Sequence, residues 1–184
     1  DCETVDPENM YYWRMNRRRL EFEAMRDALL FVAGQLDLTA GGRPVKLAEP
    51  PYSLRRAVYG YIDRQDLPGL FRVFDLASPD QSCPERPRTT VPQQALFLMN
   101  SPFVIERAKH IASLPAIAAA ENPSQRIDAM YRTILARSPS VAEMEIGQQF
   151  VETTGRGDGN GEQLGVWQQY AQVLVMSNAF LFVD

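Results

Sequence analysis

The stretch NPSQRIDAMYRTIL at residues 122–135 decides the fold class. Asn122 followed by proline is a typical helix start, because the asparagine side chain can accept from the free backbone N–H groups of the first turn. The apolar residues after it recur at intervals of three and four, so a helix places them on one face. These residues are Ile127, Met130, Tyr131, Ile134 and Leu135. The stretch therefore predicts an amphipathic helix that packs against others.

Working outward from this stretch, the same helical pattern recurs on both sides. Ser140 and Glu143 have the spacing of a capping box, which predicts the start of the next helix. Further helices are predicted at residues 67–74, at 93–100, from Ser101 through Ile111, and around Trp167 to Leu174 with an end near Ser177.

A long helix is also predicted near the amino terminus. Asp6 followed by Pro7 has the pattern of an N-cap and first helical residue. Apolar residues then form one stripe of helical period, and we expect the helix to end near Asp37, before Gly41 and Gly42. The stripe consists of Phe22, Met25, Leu29, Val32 and Leu36.

Together these segments predict a mainly α fold, an irregular bundle of about five or six helices in a single domain over residues 1–184. Residues 38–53 and 77–92 are rich in glycine or proline and are predicted to be long loops. Residues 154–162 form a glycine-rich connector. Residues 54–64 contain β-branched and aromatic residues that favour a strand over a short helix, so a minor two-stranded β element is part of the prediction.

Composition and charge exclude several classes of function. Apolar residues make up 45% and charged residues 23% of the chain, as in ordinary globular proteins. The formal net charge of -4 at pH 7 gives no overall attraction to nucleic acid or anionic lipid, so neither is an expected partner. No apolar run approaches the roughly 20 residues of a membrane span. Whether Cys2 and Cys83 form a disulfide stays open.

A set of polar residues in and around the second long loop could line a binding site. Hydroxyl, amide and guanidinium groups that converge on a groove suit a sulfated or carboxylated sugar. The alternative, which we favour, is that these side chains bond backbone groups of the loop and cap helices. The candidate residues are Arg56, Arg86, Thr89, Thr90, Gln94 and Asn100.

Five arginines also lie close together in the first predicted helix. Such a patch could meet an acidic partner, whereas the interleaved Glu21, Glu23 and Asp27 favour an exposed, ion-paired helix face. His110 is the only histidine and has no neighbours at ligand spacing, so we expect no metal ion, cofactor or catalytic residues in this domain. The five residues are Arg14, Arg17, Arg18, Arg19 and Arg26.

Several strings of the sequence occur in the order typical of one family. They are WRMNRRRL at 13–20, RDALL at 26–30, GG at 41–42, RRAVY at 55–59, FD at 74–75, QSC at 81–83, Arg86, TTVPQQALFLMN at 89–100 and SNAFLFVD at 177–184. Together they resemble the PSD1 domain, a planctomycete domain of unknown function also called DUF1553, over nearly the whole chain. Ala57 and Ala179 depart from the pattern, which has serine and glutamate at these positions.

The resemblance implies the carboxy-terminal part of a large, exported multidomain protein of the periplasm or cell surface, often with an upstream cytochrome-c-like segment. We therefore expect a non-catalytic helical interaction or structural module that binds the upstream domains of the same polypeptide or another protein. This hypothesis predicts an exposed apolar or arginine-rich patch. The alternatives are a domain that binds or processes anionic polysaccharide, and an accessory to the upstream electron-transfer domain.

Overall fold

The computed structural model describes residues 1–155 and 164–183. This part of the chain is mainly helical, as the sequence predicts, and six of its helices have nine or more residues. A 3-10 turn lies at Ala57–Tyr59, and the two short strands are β1 (Arg18–Arg19) and β2 (Phe182–Val183). The helices are α1 (Cys2–Val5), α2 (Phe22–Val32), α3 (Gly69–Val73), α4 (Pro92–Asn100), α5 (Pro102–Ser113), α6 (Pro115–Ala118), α7 (Pro123–Leu135), α8 (Val141–Thr154), α9 (Val166–Met176) and α10 (Asn178–Leu181).

Helices α5 and α9 form the centre of the core. α5 packs against α2, α4, α6 and α9, and α9 packs in addition against α4, α7, α8 and α10. The residues at this centre follow the helical period and are fully buried. They are Val104, Ala108 and Ile111 on α5, and Ala171 and Val175 on α9. The other helices are arranged around this central pair.

The predicted starts of α7 and α8 are both confirmed. The Asn122 side chain accepts from the backbone N–H of Gln125 at 2.9 Å. At α8 the Ser140 hydroxyl accepts from the backbone N–H of Glu143 at 3.3 Å, and the Glu143 carboxylate accepts from the backbone N–H of Ser140 at 2.8 Å. These bonds satisfy N–H groups that the first turn of a helix leaves free.

The predicted start of the first long helix is wrong. α2 begins at Phe22, and Asp6 does not cap it. The Asp6 carboxylate instead accepts from the backbone N–H groups of Met10 and Tyr11, at 2.9 and 2.8 Å. Short polar side chains offer the backbone such alternatives to a helix, so residues 6–17 form a loop that leads into β1.

The predicted end near Asp37 is also wrong, because α2 ends at Val32. Gly34 adopts a left-handed conformation with φ +68°. The backbone N–H of Gln35 then donates to the carbonyl of Leu30 at 2.9 Å, and that of Gly34 donates to the carbonyl of Phe31 at 2.9 Å. This is a Schellman motif, which favours glycine at the left-handed position.

The small β element exists, but not where the sequence places it. Residues 54–64 contain the 3-10 turn and single bridges from Arg55 to Asp37 and from Gly60 to Val45. The two-stranded antiparallel sheet pairs Arg18 with Val183 and Arg19 with Phe182. It joins segments far apart in sequence, so no local pattern could predict it.

The predicted loops lie between helices. Residues 38–53 follow α2, and residues 77–91 connect α3 to α4, with no helix assigned in either segment. α8 continues to Thr154, and most of the predicted glycine-rich connector, residues 156–162, lies outside the described part of the chain.

Candidate functional site

Residues 6–17, which we call the N-terminal loop, expose more large side chains than any comparable segment of the described chain. The side chains of Met10, Tyr11 and Tyr12 are 69%, 85% and 81% exposed, and Met15 is 52% exposed. Contiguous exposed apolar surface of this kind is uncommon on soluble domains and marks contact sites.

Asp6 braces the first half of the loop from inside. The residue is 8% exposed, and its carboxylate accepts the two backbone bonds from Met10 and Tyr11. Its backbone carbonyl also accepts from the indole N–H of Trp13 at 2.7 Å. One buried aspartate thereby fixes the backbone that carries the exposed side chains.

Asn9 braces the second half. It is 4% exposed, and its amide nitrogen donates to the carbonyl of Arg14 at 2.8 Å and to the side-chain oxygen of Asn16 at 2.9 Å. The amide oxygen accepts from the backbone N–H of Arg14 at 3.1 Å. Because both the nitrogen and the oxygen of this buried amide form hydrogen bonds, the loop has a defined shape without a helix or strand.

Two residues of the loop have left-handed backbone conformations. Asn9 has φ 56° and Tyr12 has φ 55°. Asparagine tolerates this region, but for a residue such as tyrosine it costs about 1–2 kcal/mol. Such strain persists where surrounding bonds over-determine the backbone, and it is concentrated at binding and active sites.

The second half of the loop, together with the strand after it, is strongly basic. Four arginines and no acidic residue lie between Asn9 and Leu20. Arg14, Arg17 and Arg18 are exposed, and the Arg14 guanidinium lies 5.3 Å from the centroid of the Trp13 ring. Arg19 differs, because its side chain is largely buried and pairs with Asp75 at 2.8 Å. The exposed surface combines tyrosine, tryptophan, methionine and arginine.

Arg26 does not belong to this surface, contrary to the predicted cluster of five arginines. It is 1% exposed within α2, where it donates to the backbone carbonyls of Arg55 and Ser53. Burial lowers its pKa to about 10. Its role is to hold the segment around residue 54 against α2.

Of the sequence-predicted site residues, Arg56 and Arg86 lie in one groove of about 620 Å³ between α2 and residues 56–62. Both are paired with acids of α2. Arg86 bonds Glu21 and Glu23, each at 3.0 Å, and Arg56 lies 3.5 Å from Asp27. The three carboxylates oppose the approach of an anionic polymer to these arginines.

Three more of these residues pin or border the second long loop. Thr89 donates from its hydroxyl and its backbone N–H to the Asp75 carboxylate, at 2.7 and 2.9 Å. The buried Gln94 amide donates to the carbonyls of Val73 and Thr89, at 2.8 and 3.2 Å. Thr90 is exposed and borders a separate cavity of about 190 Å³ with Gln94.

Asn100 bonds within its own helix, where its amide donates to the carbonyl of Leu96 at 3.0 Å. The six predicted residues therefore lie in three places. Only Arg56 with Arg86, and Thr89 and Thr90 with Gln94, are brought together.

Comparison with known proteins identifies the family. The family model of PSD1, described as a protein of unknown function (DUF1553), matches residues 1–151. The chain belongs to the PSD1 family. No curated protein and no solved structure matches it. The PSD1 match covers the whole N-terminal loop and continues into α8.

Sequence reasoning missed the residues that shape this PSD1 surface. The pattern at Asp6 and Pro7 predicted a helix start, although Asp6 and Asn9, two short polar residues three apart, also match a polar loop. Asp75, which anchors Arg19 and Thr89, belongs to one of the strings typical of the family, but its sequence context did not predict these bonds. Among the described residues, no helix has the length and apolar character required to cross a membrane.

Proposed function

We propose that this PSD1 chain is a non-catalytic interaction module that binds a protein partner through its N-terminal loop. The supporting observation is a loop braced by two buried polar residues that holds Tyr11 and Tyr12 more than 80% exposed. A braced loop loses little conformational freedom on binding, which favours affinity.

The composition of the surface fits a protein interface. Tyrosine, tryptophan and arginine are enriched where binding energy is concentrated, and methionine is enriched at interface cores. The loop offers Tyr11, Tyr12, Trp13, Arg14 and Met15 within five consecutive positions. An exposed apolar or arginine-rich patch is also what the interaction hypothesis predicts.

The charge of the loop specifies the partner further. Since the exposed Arg14 and Arg18 follow the aromatic residues with no acid between Asn9 and Leu20, we expect the complementary surface to combine apolar groups with carboxylates. The resemblance implies preceding domains, so the partner we propose is the preceding part of the same polypeptide.

The test is calorimetric titration, at moderate salt, of this chain into the rest of that polypeptide. We expect association that the double variant Tyr11→Ala with Tyr12→Ala weakens by at least about thirtyfold, because two central aromatic contacts are lost. A matched control replaces Val141 and Ile146 by alanine, since these α8 side chains are 79% and 65% exposed outside the loop.

The control variant should bind like the wild type, and circular dichroism should show both variants folded. Equal weakening by the control, or no association of the wild-type chain, would refute the proposal.

A further inference from the structure

A second groove lies between α5 and the segment around residue 52. It has a volume of about 610 Å³, within the range of small-molecule sites. Its walls are mainly apolar, and polar groups line it at a few points. The apolar lining residues are Pro50, Pro51, Tyr52, Leu54, Pro102 and Ile105.

Arg107 lines this groove and is incompletely paired. Its side chain is 3% exposed, and one guanidinium nitrogen, Nη2, donates to the half-exposed Glu106 carboxylate at 2.5 Å. The other two nitrogens, Nη1 and Nε, are buried without a hydrogen-bond partner in the described residues. Burial lowers the pKa of Arg107, yet a guanidinium stays protonated at neutral pH, so these donors call for an acceptor.

Gln35 contributes a second unsatisfied group to the same groove. Its side-chain oxygen is buried without a hydrogen-bond partner among the described residues. A buried polar group without a partner is costly, and since both residues line one groove, a single ligand there can satisfy both. A ligand that satisfies both residues has a hydrogen-bond acceptor beside Arg107 and a donor beside Gln35.

The charges around the groove favour an anion. Arg107 and Lys109 line it, and Glu106 is the carboxylate among its lining residues. Two cations therefore face one acid, and one added carboxylate balances the charge.

We propose that this groove binds a small hydroxy-carboxylate with an apolar body. The ligand carboxylate takes the place of Glu106 and bonds the Arg107 fork through two oxygens, which one Glu106 oxygen does not do. Its hydroxyl donates to the Gln35 oxygen, and its body lies between Tyr52, Pro51 and Ile105. This site is separate from the N-terminal loop and does not depend on the function proposed for it.

Mandelate, which combines a phenyl ring, a hydroxyl and a carboxylate, is the probe. Calorimetry and NMR titration of the whole chain should give a dissociation constant on the order of 1 mM, with shift changes centred on the groove. The uncharged analogue 1-phenyl-1,2-ethanediol should bind at least about tenfold more weakly, since it offers Arg107 no charged acceptor. No binding of mandelate, or equal binding of the diol, would overturn the proposal.

Three variants locate the site. Arg107→Lys keeps the charge but removes the fork, so binding should be lost. Glu106→Gln removes the competing carboxylate and should tighten binding by about threefold or more. Because Arg107→Lys tests a buried position and could unfold the chain, Lys109→Glu provides a surface variant that should weaken binding by about fivefold.

The matched control for the surface variant is Lys46→Glu. Lys46 and Lys109 are the two lysines of the sequence, and Lys46 is 70% exposed, pairs with Glu49 and lies outside this groove. It should leave mandelate binding unchanged. Equal effects of the two lysine substitutions, or weaker binding in Glu106→Gln, would show that the carboxylate does not bind at Arg107.

Discussion

The helical core and the N-terminal loop use similar large side chains in opposite ways. In α5 and α9 the apolar residues are buried, and helical periodicity brings them together. In the loop Met10, Tyr11 and Tyr12 point to solvent, while the small polar residues Asp6 and Asn9 are buried. The difference shows that hydrogen bonds from polar side chains to the backbone can shape a segment and leave its apolar residues available for another surface.

The largest expected effect comes from the core side of this comparison. Ile111 is fully buried in α5, so Ile111→Ala should reduce the free energy of unfolding by about 2–5 kcal/mol through lost burial and a residual cavity. Chemical denaturation measures the change. Ile146→Ala, at an α8 side chain that is 65% exposed, is the control and should change stability by less than about 0.5 kcal/mol. Similar losses in both variants would mean that apolar burial does not distinguish them.

A substitution in the N-terminal loop should affect the loop and leave the helical core unchanged. Asp6→Ala removes the acceptor for the backbone N–H groups of Met10 and Tyr11, at a cost of about 1–2 kcal/mol within the loop. Hydrogen exchange should accelerate at these two amides while the melting temperature of the core changes little. Glu8→Ala, at an exposed neighbouring acid, should leave exchange unchanged. Loss of the cooperative core transition in Asp6→Ala would show that loop and core are one unit.

The smallest expected effect concerns Glu143, which lies in the first turn of α8. Hydrogen bonds from Arg137 and from the Ser140 backbone lower the pKa of Glu143 to about 2. Since this pKa lies below the usual 4.5, ionised Glu143 stabilises the fold above pH 4.5. That contribution is lost as the pH falls toward 2.

Glu143→Gln should therefore lower the melting temperature at pH 7, by an amount equivalent to about 1 kcal/mol or less, and match the wild type near pH 2. Glu145→Gln, at an exposed position of the same helix, is the control. A deficit of Glu143→Gln that persists unchanged at pH 2 would contradict the assignment.

The parts of the fold that the sequence predicted are those with local causes. Asn122, Ser140 and Glu143 act on N–H groups within three residues, and they perform the predicted roles. Asp6 with Pro7 carries the same local pattern as Asn122 with Pro123, yet only the latter starts a helix. An apolar stripe of helical period follows Pro123, whereas no such stripe runs through residues 8–19. This difference in the sequence was the available signal that Asp6 does not start a helix.

The candidate site was predicted less well than the fold. The prediction that the polar residues of the second loop hold backbone in place fits the bonds of Thr89 and Gln94. The exposed patch was expected only in general terms, and the sequence did not indicate that it would lie on a loop. Arg107 gave no signal, because a charged residue in an amphipathic helix is ordinarily exposed.

By itself, the sequence determined the helical class, the two helix caps and the positions of α4, α5, α7, α8 and α9, because these depend on contacts within one or two turns of the chain. Only the tertiary structure decided that β1 pairs with β2, and that Arg26 and Arg107 lie inside while Tyr11 and Tyr12 lie outside. Those outcomes depend on segments far apart in sequence, such as Arg19 with Phe182 and Asp75, whose meeting is a property of the packed chain as a whole.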